Sequence, residues 1–400
     1  MQIVDNSEKA ILEHLMWYGP QTRRSLALVS GFSRQTLSRL LFGLEKRRLV
    51  ESTKGEESSG GRKPALVRIN PAAGLFLAVN FADGNSTVAL ADAAFRLHAV
   101  GSIPLLLRDG PAKILADVTK WAAGALRKKV QKNLLGIGIS VPGTVDKHSG
   151  LLVHPPAPSG WEGFSFRDFF RPSLDVPVFV DNDANMMALG ELWVARQAAG
   201  FPSDECWVVV KLSASGIGAG VISEGRLYRG ATGGAGEIGH IQVVPDGLRC
   251  RCGLRGCLET VAAAPAILEQ AQDCAARNAQ AKTERHKASA KSIQEFARAA
   301  LAGEEIPNSL IQKAGTHIGE VLGIVVNVLN PTQILIGGDF ATVGPTMLAS
   351  IRQGVFARAL PLMSRRLKVE PCRGSHSEIF GCLASMFIGL VCEKEFRDAR

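Results

Sequence analysis

Residues 237 to 260, EIGHIQVVPDGLRCRCGLRGCLET, set one histidine and three cysteines within two dozen positions, and no other stretch so restricts the path the backbone can take. Cys250 and Cys252 are separated by a single residue, Cys257 follows after four more, and His240 lies ten positions before Cys250. Three thiols and an imidazole suit a tetrahedral zinc ion, and Gly253 and Gly256 let the chain turn tightly around it. A disulfide network fits poorly: three thiols leave one unpaired, and a bridge across one intervening residue is strained. The eight cysteines are too thinly spread for the framework of a small secreted domain, so they are expected to be reduced. The plain alternative is a set of free cysteines beside an unrelated histidine. With four protein ligands and no open coordination position, the expected ion is a structural Zn2+ on His240, Cys250, Cys252 and Cys257. It would rigidify the loop 237–259 and hold Glu237 and Glu259 near one another as acceptors for a polyhydroxylated ligand.

At 400 residues the chain is long enough for two or three domains, each with its own core. Its longest apolar segments, such as 76–81 and 386–392, fall short of a membrane span. The opening MQIVDNSEKAILEH puts acids where an export signal needs a basic and then an apolar run. These readings predict a cytoplasmic protein without membrane insertion.

Residues 7–18, SEKAILEHLMWY, place Ile11, Leu12, Leu15 and Met16 on one helical face, with Ser7 available as N-cap. After Gly19-Pro20, TRRSLALVSG predicts a second short helix ending at Gly31, and Ser33 caps a third, SRQTLSRLLFGLEKRR, whose Leu37, Leu40, Leu41 and Leu44 face inward. Three helices with a tight turn before the third make a helix-turn-helix pattern. Its outer face carries Arg34, Gln35, Thr36, Ser38 and Arg39, side chains that reach base edges and phosphates. LVEST and ALVRIN then alternate like two strands around KGEESSGGRKP, a glycine-rich wing ending in Arg62 and Lys63. Residues 1–70 hold 12 Lys and Arg against 7 Asp and Glu, more than half of the chain's net +9. A solvated basic face would account for charge alone; helix order, cap, wing and basic loop together predict a winged helix-turn-helix at residues 1–72 that binds double-stranded operator DNA.

From about residue 74 the pattern becomes α/β. LFLAVNFA, STVALADAAFRLHAVGSI and LLGIGISV read as strands, PAKILADVTKWAAGALRKKV as a helix, and VPVFVDNDANMMALGELW as a strand running through a polar turn into a helix. ECWVVVKLSASGIGAGVISEGRLY supplies two strands around a glycine-rich turn, and alanine- and leucine-rich helices flank a last strand, QILIGG. Strands lead into Gly, Asp and Asn turns at their C-terminal ends, where open α/β sheets bind ligands. The polar segment 276–291 carries no visible chemistry, and no short-period repeat is apparent.

Four features taken together resemble the ROK family of repressors and sugar kinases, on its repressor branch, over nearly the whole chain. They are E-x-G-H (Glu237 to His240), C-x-C-G-x-x-G-C-x-E (Cys250 to Glu259), D-N-D-A-N (Asp181 to Asn185) and the basic winged helix-turn-helix. The resemblance implies that residues 73–400 form a two-lobed hexokinase-like, actin-like ATPase body with a sugar in its cleft. By that likeness Asn182, Asp183, Glu237, His240 and Glu259 grip sugar hydroxyls, and His240 serves zinc through its other ring nitrogen. In a kinase Asp183 would be the base that takes the proton of the attacking hydroxyl, while glycine-turn amides and Mg2+ hold the ATP phosphates. A helix N-cap role for Asp183 is compatible with sugar binding.

The chain also departs from the family pattern. Where kinases carry a D-x-G-x-T phosphate loop, residues 80–87 read NFADGNST, with Asn80 and Ala82 in place of the acid and the first glycine. Losing the acid removes a partner of Mg2+, and Ala82 adds a side chain where backbone should approach phosphate. The glycine turns 213–220 and 337–339 are better kept, and Ala157 stands where many relatives place a sugar-contacting Asn. The expected function is a sugar-responsive repressor of carbohydrate uptake or catabolism genes, without significant kinase activity. A sugar or sugar phosphate in the cleft would alter its operator affinity. The alternative is an ATP-dependent sugar kinase carrying a DNA-binding domain. A two-fold operator implies a homodimer or homotetramer, and the resemblance adds a sugar-transport protein as a further partner.

Overall fold

The computed structural model describes residues 5–53, 57–58, 61–62, 64–82, 84–105, 107–127, 133–153, 155, 160–198, 206–280, 293–341 and 345–392. Lys63, Ala157 and most of the polar segment 276–291 lie outside the described residues, and Arg62 is described by its backbone alone.

The chain opens with three helices, α1 (Asn6–Tyr18), α2 (Arg23–Ser30) and α3 (Arg34–Lys46). Asp5, not Ser7, caps α1: its carboxylate accepts from the Glu8 amide while Glu8 accepts from the Asp5 amide. That reciprocal pair satisfies two otherwise orphaned donors, contributing about 1 kcal/mol, and it requires an acid three residues on, which Ser7 lacks. Thr22 and Ser33 cap α2 and α3, and Gly31 ends α2 in the left-handed conformation. The leucines expected to face inward are buried, as are Ile11, Leu12, Leu15 and Met16. Strands Val50–Ser52 and Leu66–Ile69 pair antiparallel, and the short strand Gln21–Thr22 joins the far edge of the latter. Between them Glu57–Ser58 pairs with Gly61–Arg62 as a hairpin.

Beyond residue 74 the described residues form two five-stranded sheets of one design. The first runs, in spatial order, Leu97–Leu105, Gly84–Asp92, Leu75–Asn80, Leu134–Val141 and Val178–Asn182. The second runs Arg226–Tyr228, Gly216–Ser223, Trp207–Ser213, Gln333–Gly337 and Lys368–Pro371. In each, three strands meander antiparallel and two more add in parallel. The halves are thus a structural repeat that the side chains do not advertise.

Side-chain alternation assigns the faces. Phe76, Ala78, Ala89 and Ala91 of the first sheet, and Trp207, Val209 and Leu335 of the second, enter one central core. Leu77, Val79, Val88 and Ile139 face an outer helical layer built on Pro111–Arg127, while Val208, Val210, Leu212 and Ile334 face another built on Glu305–Leu329 and Pro345–Arg358. The central layer holds two helices, Asp183–Gln197 and Ser377–Cys392. They lie so close that a Cβ on Gly190 would meet the Ser377 carbonyl at 1.8 Å and one on Gly381 the Met186 carbonyl at 1.8 Å. The buried Glu191 carboxylate joins them by accepting from the Arg373 and Gly374 amides and the Ser377 hydroxyl. The buried apolar residues of α1 to α3 belong to this same central core.

Candidate functional site

His240 closes a one-turn 3-10 helix, Ile238–His240, and the cysteines follow on a loop tied by bridges between Gln242 and Cys257 and between Arg249 and Arg255. Gly253 and Gly256 take φ of 94° and 67°, as a tight turn requires. The ligating atoms of His240, Cys250, Cys252 and Cys257 all lie within 4.8 Å of one another. Cys252 Sγ is 3.7 Å from Cys257 Sγ, and Cys250 Sγ is 3.5 Å from His240 Nδ1. Tetrahedral zinc bonds of about 2.3 Å to sulfur and 2.0–2.1 Å to nitrogen place neighbouring donors roughly 3.5 to 3.8 Å apart, so the four residues fit that ion. Burial pushes the Cys250 and Cys257 thiols up, Cys257 to about 12; metal binding there must displace protons.

With Nδ1 toward the thiols, His240 turns Nε2 to Glu237, 3.9 Å from Oε2. Glu237 Oε1 accepts from the Thr144 hydroxyl at 2.6 Å, and the neighbouring Gly143 carbonyl accepts from Asn182 Nδ2 at 2.9 Å. A chain of contacts therefore runs from the metal cluster to the start of the helix Asp183–Gln197. Asn182, rather than Asp183, is that helix's N-cap: its Oδ1 accepts from the Ala184 and Asn185 amides. Both ends of its amide are thereby engaged within the protein. Glu259 Oε1 accepts from the Ile217 amide (3.1 Å) and from Arg251 Nη2 (3.2 Å), bracing the glycine turn 213–220. Of the five residues expected on the ligand, Glu237, His240 and Asn182 are linked into one wall, Glu259 backs the adjacent turn, and Asp183 alone lines the pocket that lies between the strand ends.

That pocket is lined by Asn80, Ala82, Asp183, Lys211, Ser213, Ala214, Ser215, Asp339 and Glu378. It gathers the loop at 80–82, the glycine turn and the acid of Gly337–Asp339 at the C-terminal ends of strands from both sheets, where the strand pattern had pointed. Lys211 and Glu378 had not been anticipated. Lys211 Nζ lies 3.0 Å from Asp183 Oδ2 and 2.9 Å from Glu378 Oε1. Burial works to lower its pKa, but the two carboxylates outweigh that and hold the ammonium above its ordinary value. Glu378, which burial would raise, is held below its ordinary value by Lys211. The signal was present as a lone charge within the apolar strand WVVVKLS. A second unanticipated pair, Arg229 Nε on Asp181 Oδ2 at 2.7 Å, fixes the turn before Asn182.

On α3, Arg34, Gln35, Ser38 and Arg39 are exposed along one face. Thr36 is half-buried and its hydroxyl pairs with that of its cap, Ser33, at 2.9 Å. Phe42, 69% exposed, extends the face at the i+4 and i+8 spacing from Ser38 and Arg34, an apolar ring that helical periodicity alone does not set apart from the inward leucines.

The far end of the helix Asp183–Gln197 holds α1. Trp193 Nε1 donates to the Met16 carbonyl at 3.1 Å, and Gln197 Nε2 to the Met16 (3.1 Å) and Trp17 (2.9 Å) carbonyls. The Arg196 guanidinium lies 4.6 Å over the Trp17 ring, and Phe380 stacks on Trp193 at 4.5 Å.

The sequence model of the ROK family matches residues 106–381. A glucokinase of Halalkalibacterium halodurans is 34% identical over 65% of this chain and 78% of its own. A xylose repressor of Bacillus spizizenii is 28% identical over 91% of this chain and 90% of its own, too much to leave out the first seventy residues. The solved structure of a ROK family transcriptional regulator, a homologue of the Escherichia coli Mlc protein, superposes with a TM-score of 0.79 at 26% identity, covering 98% of each chain.

Proposed function

Because the chain belongs to the ROK family, we propose that it is a sugar-responsive DNA-binding transcriptional repressor, in which residues 1–72 form a winged helix-turn-helix and residues 73–400 the sugar-sensing body. Support comes from likeness to repressors along nearly the whole length and from the exposed basic and polar face of α3. Arg34, Gln35, Ser38 and Arg39 enter the major groove, Thr36 orders the start of the recognition helix, and Arg62 and Lys63 supply further contacts to the DNA backbone. Two such heads on a homodimer or homotetramer match a two-fold operator. No helix among the described residues is long and apolar enough to cross a membrane, in keeping with a cytoplasmic regulator.

One observation carries the reading. The helix Asp183–Gln197 begins at the pocket and ends against α1, with Asp183 paired at one end and Gln197 bonded to α1 carbonyls at the other. A sugar whose hydroxyls engage Asp183, Glu237 and His240 shifts the helix only if it binds one lobe arrangement better than another. Zinc on His240, Cys250, Cys252 and Cys257 holds Glu237 and the His240 ring in place for that contact. The body senses and does not phosphorylate.

A thermal-shift screen of hexoses, pentoses, N-acetylated hexosamines and their phosphates, with ATP consumption measured for each hit, tests this. The expected result is stabilisation by one sugar without ATP turnover. Turnover abolished by Asp183→Asn would establish the kinase reading instead.

A further inference from the structure

Lys211 comes from the middle strand of the second sheet, whereas Asp183 and Glu378 open the two helices of the central layer. Lys211 is 5% exposed, and its ammonium lies between both carboxylates at 3.0 and 2.9 Å. Two of its three donors are thereby engaged. A site for metal-bound triphosphate needs carboxylates free to meet the ion or its water shell and bare backbone against the phosphates. Here Asp183 and Glu378, two of the three lining carboxylates, already share an ammonium. The Asn80 side chain accepts from the Ser140 hydroxyl at 2.7 Å, and Ala82 carries a Cβ. A divalent ion entering between Asp183 and Glu378 would be forced within roughly 4 Å of a buried like charge. The pocket residues do not fit a metal-bound nucleotide.

We propose that Lys211 is the specificity-determining residue of this cleft, a built-in cation in place of a divalent metal, which closes the pocket to metal-bound nucleotide and leaves Asp183 to accept from an uncharged hydroxyl. A carboxylate has about four lone-pair sites, so Asp183, bonded to Lys211 and to the Ala184 amide, keeps acceptor capacity for a ligand O–H. A phosphorylated ligand meets three carboxylates, Asp183, Asp339 and Glu378, against this one ammonium among the lining residues. That the occupant is a sugar rests on the function proposed above. The exclusion of metal does not, so a titration with Mg2+ reads it whatever the sugar screen returns.

Mg2+ alone is the probe, added to the full chain, because it takes oxygen donors and leaves a thiol-rich cluster untouched. The wild type is expected to show no change in Tm with millimolar Mg2+. Lys211→Met leaves two buried acids facing each other. It is expected to melt about 5 °C lower, to recover with Mg2+ bound at least about tenfold more tightly than by the wild type, and to lose that response when Asp183→Asn is added. Lys211→Met with Glu378→Gln removes an acid along with the ammonium and should regain stability without Mg2+, which keeps the test decisive if the single variant does not fold. Three results would overturn the proposal: equal stabilisation of wild type and Lys211→Met by Mg2+, a folded Lys211→Met that ignores Mg2+, or a double variant no more stable than the single one.

Discussion

Cys257 is fully buried at the base of the four-donor cluster, and His240 divides its ring between that cluster and Glu237. Removing one thiolate therefore reaches the ligand wall through a single imidazole. Cys257→Ser is expected to bring zinc well below one per chain by elemental analysis and to abolish stabilisation by the sugar; a variant that loses zinc yet binds sugar as before would separate the metal from the site. The cluster was legible in the sequence because its donors crowd one loop and chemistry leaves few uses for them. Asn182 was less so: a strand-to-helix Asn serves equally as cap or ligand contact, and only coordinates show both ends of its amide engaged. Lys211 was visible as an odd charge in a strand, but its partners lie 28 and 167 positions away, and tertiary pairs at such separations leave no local trace.

The two central helices are the elements that join pocket to head. Their close approach at Gly190 and Gly381 and the Glu191 contacts pack them tightly against each other. The first is held to α1 by Trp193, Arg196 and Gln197. Gln197→Ala removes two hydrogen bonds to α1 carbonyls, about 1 kcal/mol each, without touching the pocket or α3. Sugar affinity should stay within about twofold of wild type, while the sugar-induced change in operator affinity shrinks from the 5- to 150-fold range usual for such coupling to about threefold or less. Calorimetry with sugar and fluorescence anisotropy with operator duplex measure the two quantities; an unchanged coupling would show that the signal leaves the pocket by another route. The first helix was predictable from the polar turn that leads into it, and the second only as one of the apolar helices around the last strand. Their partnership across almost two hundred residues was not, since glycine marks close approach and loop equally in a sequence.

For the whole molecule, the shared central core matters most. Composition and charge set the first seventy residues apart, yet Ile11, Leu12, Leu15 and Met16 pack in one cluster with Trp207, Met186 and Phe387. Burying side chains of this size contributes about 1.5–3 kcal/mol each, so residues 1–72 prepared alone should melt far below the full chain, or fail to fold, by circular dichroism. Independent folding at the full chain's Tm would mean that the head is merely tethered. The doubled sheet was hidden for a related reason: sheet order depends on pairing between distant strands, and unrelated apolar residues fill equivalent positions in both halves.

The most direct measurement is operator affinity by fluorescence anisotropy, at fixed salt, with and without the sugar that the thermal-shift screen identifies. The wild type should change its operator Kd by at least about fivefold when the sugar is added, and Asp183→Asn should bind the operator as the wild type does but show no change. A wild-type Kd that stays constant while calorimetry shows the sugar bound would contradict the account, because the pocket would then have no hold on the head.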